Sequence, residues 1–229
     1  MITTNTNAAG LPHVVEIERD PRPAASLSMQ LREDTADAHR AIERRPLQKH
    51  IAAGTVAPIT LARYLAQLQR IHAAIETRLD ELITHRPDLA LLLDDHMYHS
   101  RRLDDDLRAI RAAHPSIDAP LAATDRTLQH LHDDAPPHAL AIIGAHYVLE
   151  GSMNGNAFIV RGLRRSTDIV TQIGLSYFEP YGAAQRDRWT VFRLTLDAID
   201  LAADERASIL RAAAQMFEDL MFIGDDITG

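Results

Sequence analysis

The residues best placed to do chemistry in this chain are a histidine, a carboxylate and an arginine on one face of a short amphipathic segment. In LREDTADAHRAIE, Leu31, Ala38 and Ile42 recur at spacings of seven and four, the pattern of a buried helical stripe. At about 100° per residue, Arg32, His39 and Glu43 keep the same spacings and line up along the edge of that stripe. A histidine so placed can turn one ring nitrogen outward while a carboxylate one turn on takes the proton of the other, which is the usual way of orienting a metal-bound imidazole. The same spacing suits a surface histidine held by a hydrogen bond, and with twelve histidines in the chain both readings stand.

A second pattern is made of residues with no side chain. Gly144, Gly151, Gly155 and Gly162 are separated by seven, four and seven positions, so on one helix they project along a single line. Each glycine costs a helix about 1 kcal/mol relative to alanine, and such a cost needs a close approach to compensate it. Either another helix or a flat ligand lying on the bare backbone would serve. Ser152 and Asn154 flank the line and could hold water beside a ligand, and Phe158 and Ile159 could supply apolar walls.

These two patterns need helices to carry them, and the rest of the chain supplies helices. Of 229 residues, 46% are hydrophobic and only 5% aromatic, and apolar positions recur at helical spacing with prolines where helices start or stop. The spacing predicts seven or eight helices in one all-α domain over residues 26–229. Their expected spans are 28–44, 47–53, 59–85, 88–113, 120–132, 136–163, 183–202 and 203–222. Residues 1–25 have neither a basic leader nor a continuous apolar run, and they are expected to form a flexible tail rather than a signal peptide. No stretch reaches the roughly 18 apolar residues of a membrane span, so a cytoplasmic protein is expected. A net charge of −8 speaks against nucleic acid as a partner. The lack of cysteine removes thiolate nucleophiles, iron–sulfur clusters and thiolate-ligated haem.

Taken in order, LREDTADAHRAIE, PLQKHIAAGTVAPITLARYL, RRLDDDL, YVLEGSMNGNAFI and YFEPYGAAQRDRWTVFRLTLDAI resemble the haem oxygenases, in particular the bacterial branch that makes biliverdin for phytochromes. The resemblance covers about residues 28–222 and implies a haem-oxygenase-like helical bundle. It maps the proximal iron ligand onto His39 and that ligand's carboxylate partner onto Glu43. Gly151 and Gly155 correspond to the distal Gly-x-x-x-Gly. Two positions depart from the family pattern: Asn156 where many relatives have a further glycine, and Ser152 where animal enzymes have a water-organising aspartate.

The activity implied is cleavage of haem by O2 and supplied electrons to biliverdin, CO and ferrous iron. On this reading haem b is both substrate and cofactor, and Gly151, Ser152, Asn154 and Gly155 form the distal catalytic surface. Haem propionates call for a basic rim, for which Arg32 is the first candidate and Arg188 and Arg193 are others. No dinucleotide or phosphate-binding fingerprint is present, so a ferredoxin or reductase is the implied electron donor, and a bacteriophytochrome is a candidate recipient of the product. Two other functions remain open on the same fold: a non-catalytic haem-binding or haem-sensing protein, suggested by Asn156, and a non-haem diiron oxidase. For the latter, Glu-x-x-His is absent, although Asp95 and His99 are spaced to chelate a metal. A thiamine-degrading group also shares the fold, but its usual nucleophile is cysteine.

Overall fold

Proline at the first helical position and apolar residues every three or four positions thereafter are the local instructions for most of this chain, and helices follow from them. The computed structural model describes residues 5–6, 12–13, 26–133 and 138–229. The expected tail, residues 1–25, lies outside the described residues apart from a two-residue antiparallel pairing of Asn5–Thr6 with Pro12–His13.

From residue 26 onward the described chain is helical: α1 (Leu27–Asp34), α2 (Ala36–Glu43), α3 (Pro46–Ala53), α4 (Pro58–His85), α5 (His99–Ala113), α6 (Ala122–His132), α7 (Ile142–Ser152), α8 (Asn156–Leu163), α9 (Thr167–Val170), α10 (Gln185–Ala198) and α11 (Ala203–Thr228). Buried apolar side chains from Leu27 to Ile223 form one continuous core. Within it, α11 packs against α1, α2, α3, α4, α6 and α7, and α4 packs against α5, α6 and α7. Pro46 and Pro58 start α3 and α4, and Gly54 closes α3 in the left-handed conformation at φ 70°.

Eleven α-helices among the described residues exceed the seven or eight expected, because two predicted spans are each divided into two helices and the short α9 falls outside every predicted span; a third span is shortened at its start. In the first, the Thr35 hydroxyl donates to the Leu31 carbonyl at 2.6 Å, and the backbone at Thr35 is distorted to φ −96° and ψ −1° between α1 and α2. The span 88–113 begins as a 3-10 turn at Pro87–Leu92, and the Asp94 carboxylate then takes the backbone N–H of His96 at 2.7 Å, so that α5 starts only at His99. The span 136–163 is divided by a 3-10 turn at Met153–Gly155.

That division also separates the four aligned glycines by function. A Cβ on Gly144 would lie 2.1 Å from the carbonyl oxygen of Ile209 on α11, and one on Gly162 would lie 2.4 Å from the carbonyl oxygen of Ala52 on α3. These two glycines let helix backbones touch. The expectation of a single partner along the whole line is therefore corrected: its ends serve helix packing. Gly151 faces the Trp189 ring, and a Cβ on Gly155 would meet nothing within 4 Å.

The contrast sets an expected outcome. Gly144→Ala should destabilise the protein by about 2 kcal/mol, the typical cost of forcing a methyl into a packed interface. Gly155→Ala should be neutral or gain up to about 1 kcal/mol from helix propensity. Urea denaturation midpoints measure both, and equal midpoints for the two variants would contradict this division.

Candidate functional site

His39 lies in the middle of α2, with a side chain 55% exposed. Its Nδ1 faces the Glu43 carboxylate at 3.6 Å, and its ring stands edge-on to Phe217 of α11 with 5.8 Å between centroids. Phe217 braces one side of the imidazole and Glu43 orients it. The other nitrogen, Nε2, has no hydrogen-bond partner among the described residues. This arrangement has the donor chemistry of an imidazole ready to bind a metal.

The distal segment is built on α7, the turn Met153–Gly155 and α8. Gly155 is exposed and bare, and the indole of Trp189 lies across Gly151, with its Cη2 3.2 Å from where a Cβ would stand. Trp189 is braced in turn by stacking on Phe192, at 5.5 Å between centroids and 15° between planes, and by a tilted contact with Tyr147. Ser152 and Asn154 are exposed but turned back on their own helix: the Ser152 hydroxyl donates to Leu149 O at 2.6 Å, and the Asn154 amide donates to Gly151 O at 2.9 Å. Their oxygens remain acceptors, and that of Asn154 takes a bond from Gln185 at 3.4 Å. Asn156 is buried, its amide against the Met153 sulfur at 3.1 Å, so it points into the protein. Phe158 is 66% exposed and Ile159 packs against the core.

The three predicted arginines are not equivalent. Arg188 is committed, with its guanidinium 2.6 Å from the Asp94 carboxylate and 5.0 Å above the Tyr181 ring. Arg32 on α1 and Arg193 on α10 both act electrostatically on the Tyr147 hydroxyl, which brings them to one region. The Arg193 Nε is buried with no hydrogen-bond partner among the described residues. The α1–α10 contact that carries the two arginines is locked at its end by Asp197, whose carboxylate accepts the backbone N–H and the hydroxyl of Ser28, each at 2.8 Å.

Behind the distal segment lies a buried polar cluster that sequence reasoning missed. Glu150, next to Gly151, is hydrogen-bonded to His99 Nε2 at 3.1 Å and to the Tyr181 hydroxyl. His146, one turn earlier, is bonded through Nε2 to the Leu92 carbonyl at 2.7 Å, and His72 Nε2 lies 3.1 Å from the Tyr177 hydroxyl. The Asp106 carboxylate accepts the backbone N–H groups of Ser176 and Tyr177, at 3.1 and 2.7 Å, and so secures the loop that carries Tyr177. The available signal was Glu150 itself, a carboxylate in a helix apolar on nearly every side, which a folded protein must provide with donors. Asp95, spaced to chelate with His99, is exposed while His99 turns inward to Glu150. Among the described residues no three His, Asp or Glu side chains are grouped to hold a metal ion.

Burial sets the protonation of this cluster. It pushes the His72 and His146 pKa values down, and pushes those of Glu76, Tyr177 and Tyr181 up. Burial would raise Glu150 as well, but the His99 hydrogen bond, the charges of His99 and His146 and the Tyr181 hydrogen bond together take it below the ordinary carboxylate value. An ionised carboxylate only accepts, so His99 Nε2–H and the Tyr181 hydroxyl are the donors to it.

A pH dependence follows. With folded pKa values below 6.5, His72 and His146 stay neutral while the unfolded chain takes up protons, so stability falls as pH drops below about 6.5. The contribution of Glu150 is present above its unfolded value of 4.5 and is lost as pH falls through its lower folded value. Glu76, raised above 4.5, returns part of the loss as pH falls from its folded value to 4.5. The urea midpoint should therefore decline between pH 7.5 and 5.5, with a shallower slope in His146→Gln; a flat wild-type profile would contradict this account.

A family model described as heme oxygenase matches residues 25–223. Heme oxygenase from Leptospira interrogans superposes with a TM-score of 0.76 at 23% identity, covering 87% of this chain and 98% of that one. Heme oxygenase-1 from the cyanobacterium Synechocystis sp. PCC 6803, in complex with heme, gives 0.74 at 18% identity, covering 88% and 91%. Heme oxygenase-2 from the same organism, in complex with heme and NO, gives 0.75 at 18%, covering 89% and 85%. No curated protein matches the chain.

Proposed function

The chain belongs to the haem oxygenase family, and on that premise we propose that it binds haem b between α2 and the Gly151–Gly155 segment and degrades it with O2 and external electrons to biliverdin, CO and ferrous iron. The observation that carries this reading is the His39 imidazole, which is oriented by Glu43 and keeps its outer nitrogen free of any partner among the described residues. The residues present suit the ligand. Gly155 offers backbone that no side chain covers, and the buried Arg193 Nε lacks a hydrogen-bond partner among the described residues.

Haem, when bound, supplies the iron at which O2 is reduced and activated. The chain's own residues do the rest. His39 would hold the iron through its outer nitrogen, with the Glu43 carboxylate 3.6 Å from Nδ1 as the nearest partner of the other. Gly151 and Gly155 let the helix backbone come close, and so limit the space above a flat ligand. Ser152 and Asn154 keep acceptor oxygens on that side, able to hold a water that delivers protons. Arg32 and Arg193 bind the propionate carboxylates, while Phe158 adds exposed apolar surface at the edge. Electrons come from a ferredoxin or reductase, and a bacteriophytochrome is the proposed recipient of biliverdin.

Asn156 does not favour a non-catalytic haem-binding protein, since its amide is buried against Met153. Nor does the described part of the structure offer a ligand set for a diiron oxidase.

With ferric haem bound and a reductant system in air, the Soret band should decay as biliverdin absorbance and CO appear. Stable oxyhaem, or no uptake of haem, would overturn the enzymatic reading. His39→Ala should change the ferric spectrum and abolish turnover, and Glu43→Gln should lower haem affinity or activity about tenfold. An unchanged spectrum in His39→Ala would remove His39 as ligand.

A further inference from the structure

The mechanism leaves the buried cluster behind the glycine segment without a role, and from its geometry we propose that Glu150, acting through His99 and Tyr181, is the positioning residue that fixes the backbone of Gly151–Gly155. Only the identity of the ligand received by that backbone rests on the haem reading; the clamp is a property of the protein alone.

Gly151 and Gly155 have no side chains with which to anchor themselves, and between them the chain leaves α-helical geometry for a 3-10 turn. Within the segment the tie to another element is the long bond from Gln185 to Asn154 at 3.4 Å, so the flanks carry much of the positioning. On the far side the side-chain bond of Asn156 stays within its own turn, to Met153. On the near side Glu150 is 2% exposed, and its carboxylate reaches His99 at the first residue of α5 and Tyr181 in the loop before α10. The Tyr181 hydroxyl also lies 3.2 Å from His99 Nε2, which closes a triangle of three groups from three parts of the chain. Arg188 holds the Tyr181 ring from above, and His72 meets the His99 ring edge-on at 5.2 Å. The carboxylate adjoining Gly151 thus ties the distal helix to α5 and to the α10 approach at once.

Energetics point the same way. An apolar residue of similar size fills a core at least as stably as a buried hydrogen-bonded carboxylate, so a carboxylate here is explained by the geometry that it imposes. Here that geometry also leaves the Nδ1 of His99 buried without a partner. Directional bonds specify where a helix end sits, whereas apolar packing at position 150 would allow it to slide or rotate.

The chain contains its own reporter. Trp189 is its only tryptophan, and the indole rests on the Gly151 backbone, one residue from Glu150. Emission maximum and acrylamide quenching of Trp189, in the protein without haem, therefore read the position of the distal segment directly. Glu150→Leu should keep the far-UV circular dichroism of the wild type, shift the emission to longer wavelength and raise the quenching constant about twofold. Glu150→Gln, which keeps the shape and one acceptor, should restore most of the wild-type signal. Tyr181→Phe, which deletes a single hydroxyl, should move the signal in the same direction by less, and it decides the matter should Glu150→Leu fail to fold. If the distal segment is correctly placed only a tenth of the time, ferric haem binding weakens about tenfold. That loss is expected in Glu150→Leu, with the Soret maximum of the bound fraction unchanged because His39 is untouched. Wild-type Trp189 emission and quenching in both Glu150→Leu and Tyr181→Phe would overturn the clamp. A wild-type protein that takes up no haem would instead overturn the haem reading, and the tryptophan comparison would still decide the clamp.

Discussion

Close contact between bare backbones is the constraint on which this structure depends. Where α7 crosses α11, the carbonyl of Ile209 occupies the place of a side chain on Gly144, and where α8 meets α3 the carbonyl of Ala52 does the same at Gly162. Such contacts tolerate almost no sliding, since a shift of one residue would put a Cβ into a carbonyl. They hold the distal run at both ends, with Gly151 and Gly155 between them. Because α11 also packs on α2 and presents Phe217 to the His39 ring, one long helix positions both the imidazole and the glycine segment.

The interior of the bundle carries more polar chemistry than a helical core needs for stability. His72, His99, His146, Glu76, Glu150 and Asp106 are all buried, and hydrogen bonds to other elements keep most of their polar atoms satisfied. Each bond is directional, so the network converts loosely specified apolar packing into a fixed register between α4, α5, α7 and the loop before α10. The pH response and the clamp at Glu150 arise from this one arrangement.

Helical periodicity and proline placement made the bundle legible in the sequence, and the pairing of His39 with Glu43 was legible because both lie on one short helix. The helix interruptions were not, since local hydrogen bonds such as that from Thr35 to Leu31 compete with a regular pattern and leave the periodicity unchanged. The glycine line was visible, but its division among α11, α3, Trp189 and open surface depends on partners far along the chain. The same holds for His99, whose bonds reach residues 51 and 82 positions away. Sequence spacing offered it Asp95 instead, because pairs on one helix turn can be read from a sequence and pairs across the core cannot.

Charge adds a last constraint on the ligand. A protein of net charge −8 repels a dicarboxylate at long range, so recognition of anionic side groups must come from cations not already neutralised. Arg188 fails that condition because Asp94 holds it, whereas Arg32 and Arg193 take part in no ion pair among the described residues and converge near Tyr147. Asp197 is the nearby acid, and its carboxylate is engaged by Ser28 at the start of α1, where it helps to fix the helix that carries Arg32. The bond that secures the α1–α10 contact turns the Asp197 carboxylate to Ser28, while its charge still acts on the Tyr147 hydroxyl beside the two arginines. Where Arg32 stands is therefore set by the contact at the start of α1 as much as by its own place in the sequence.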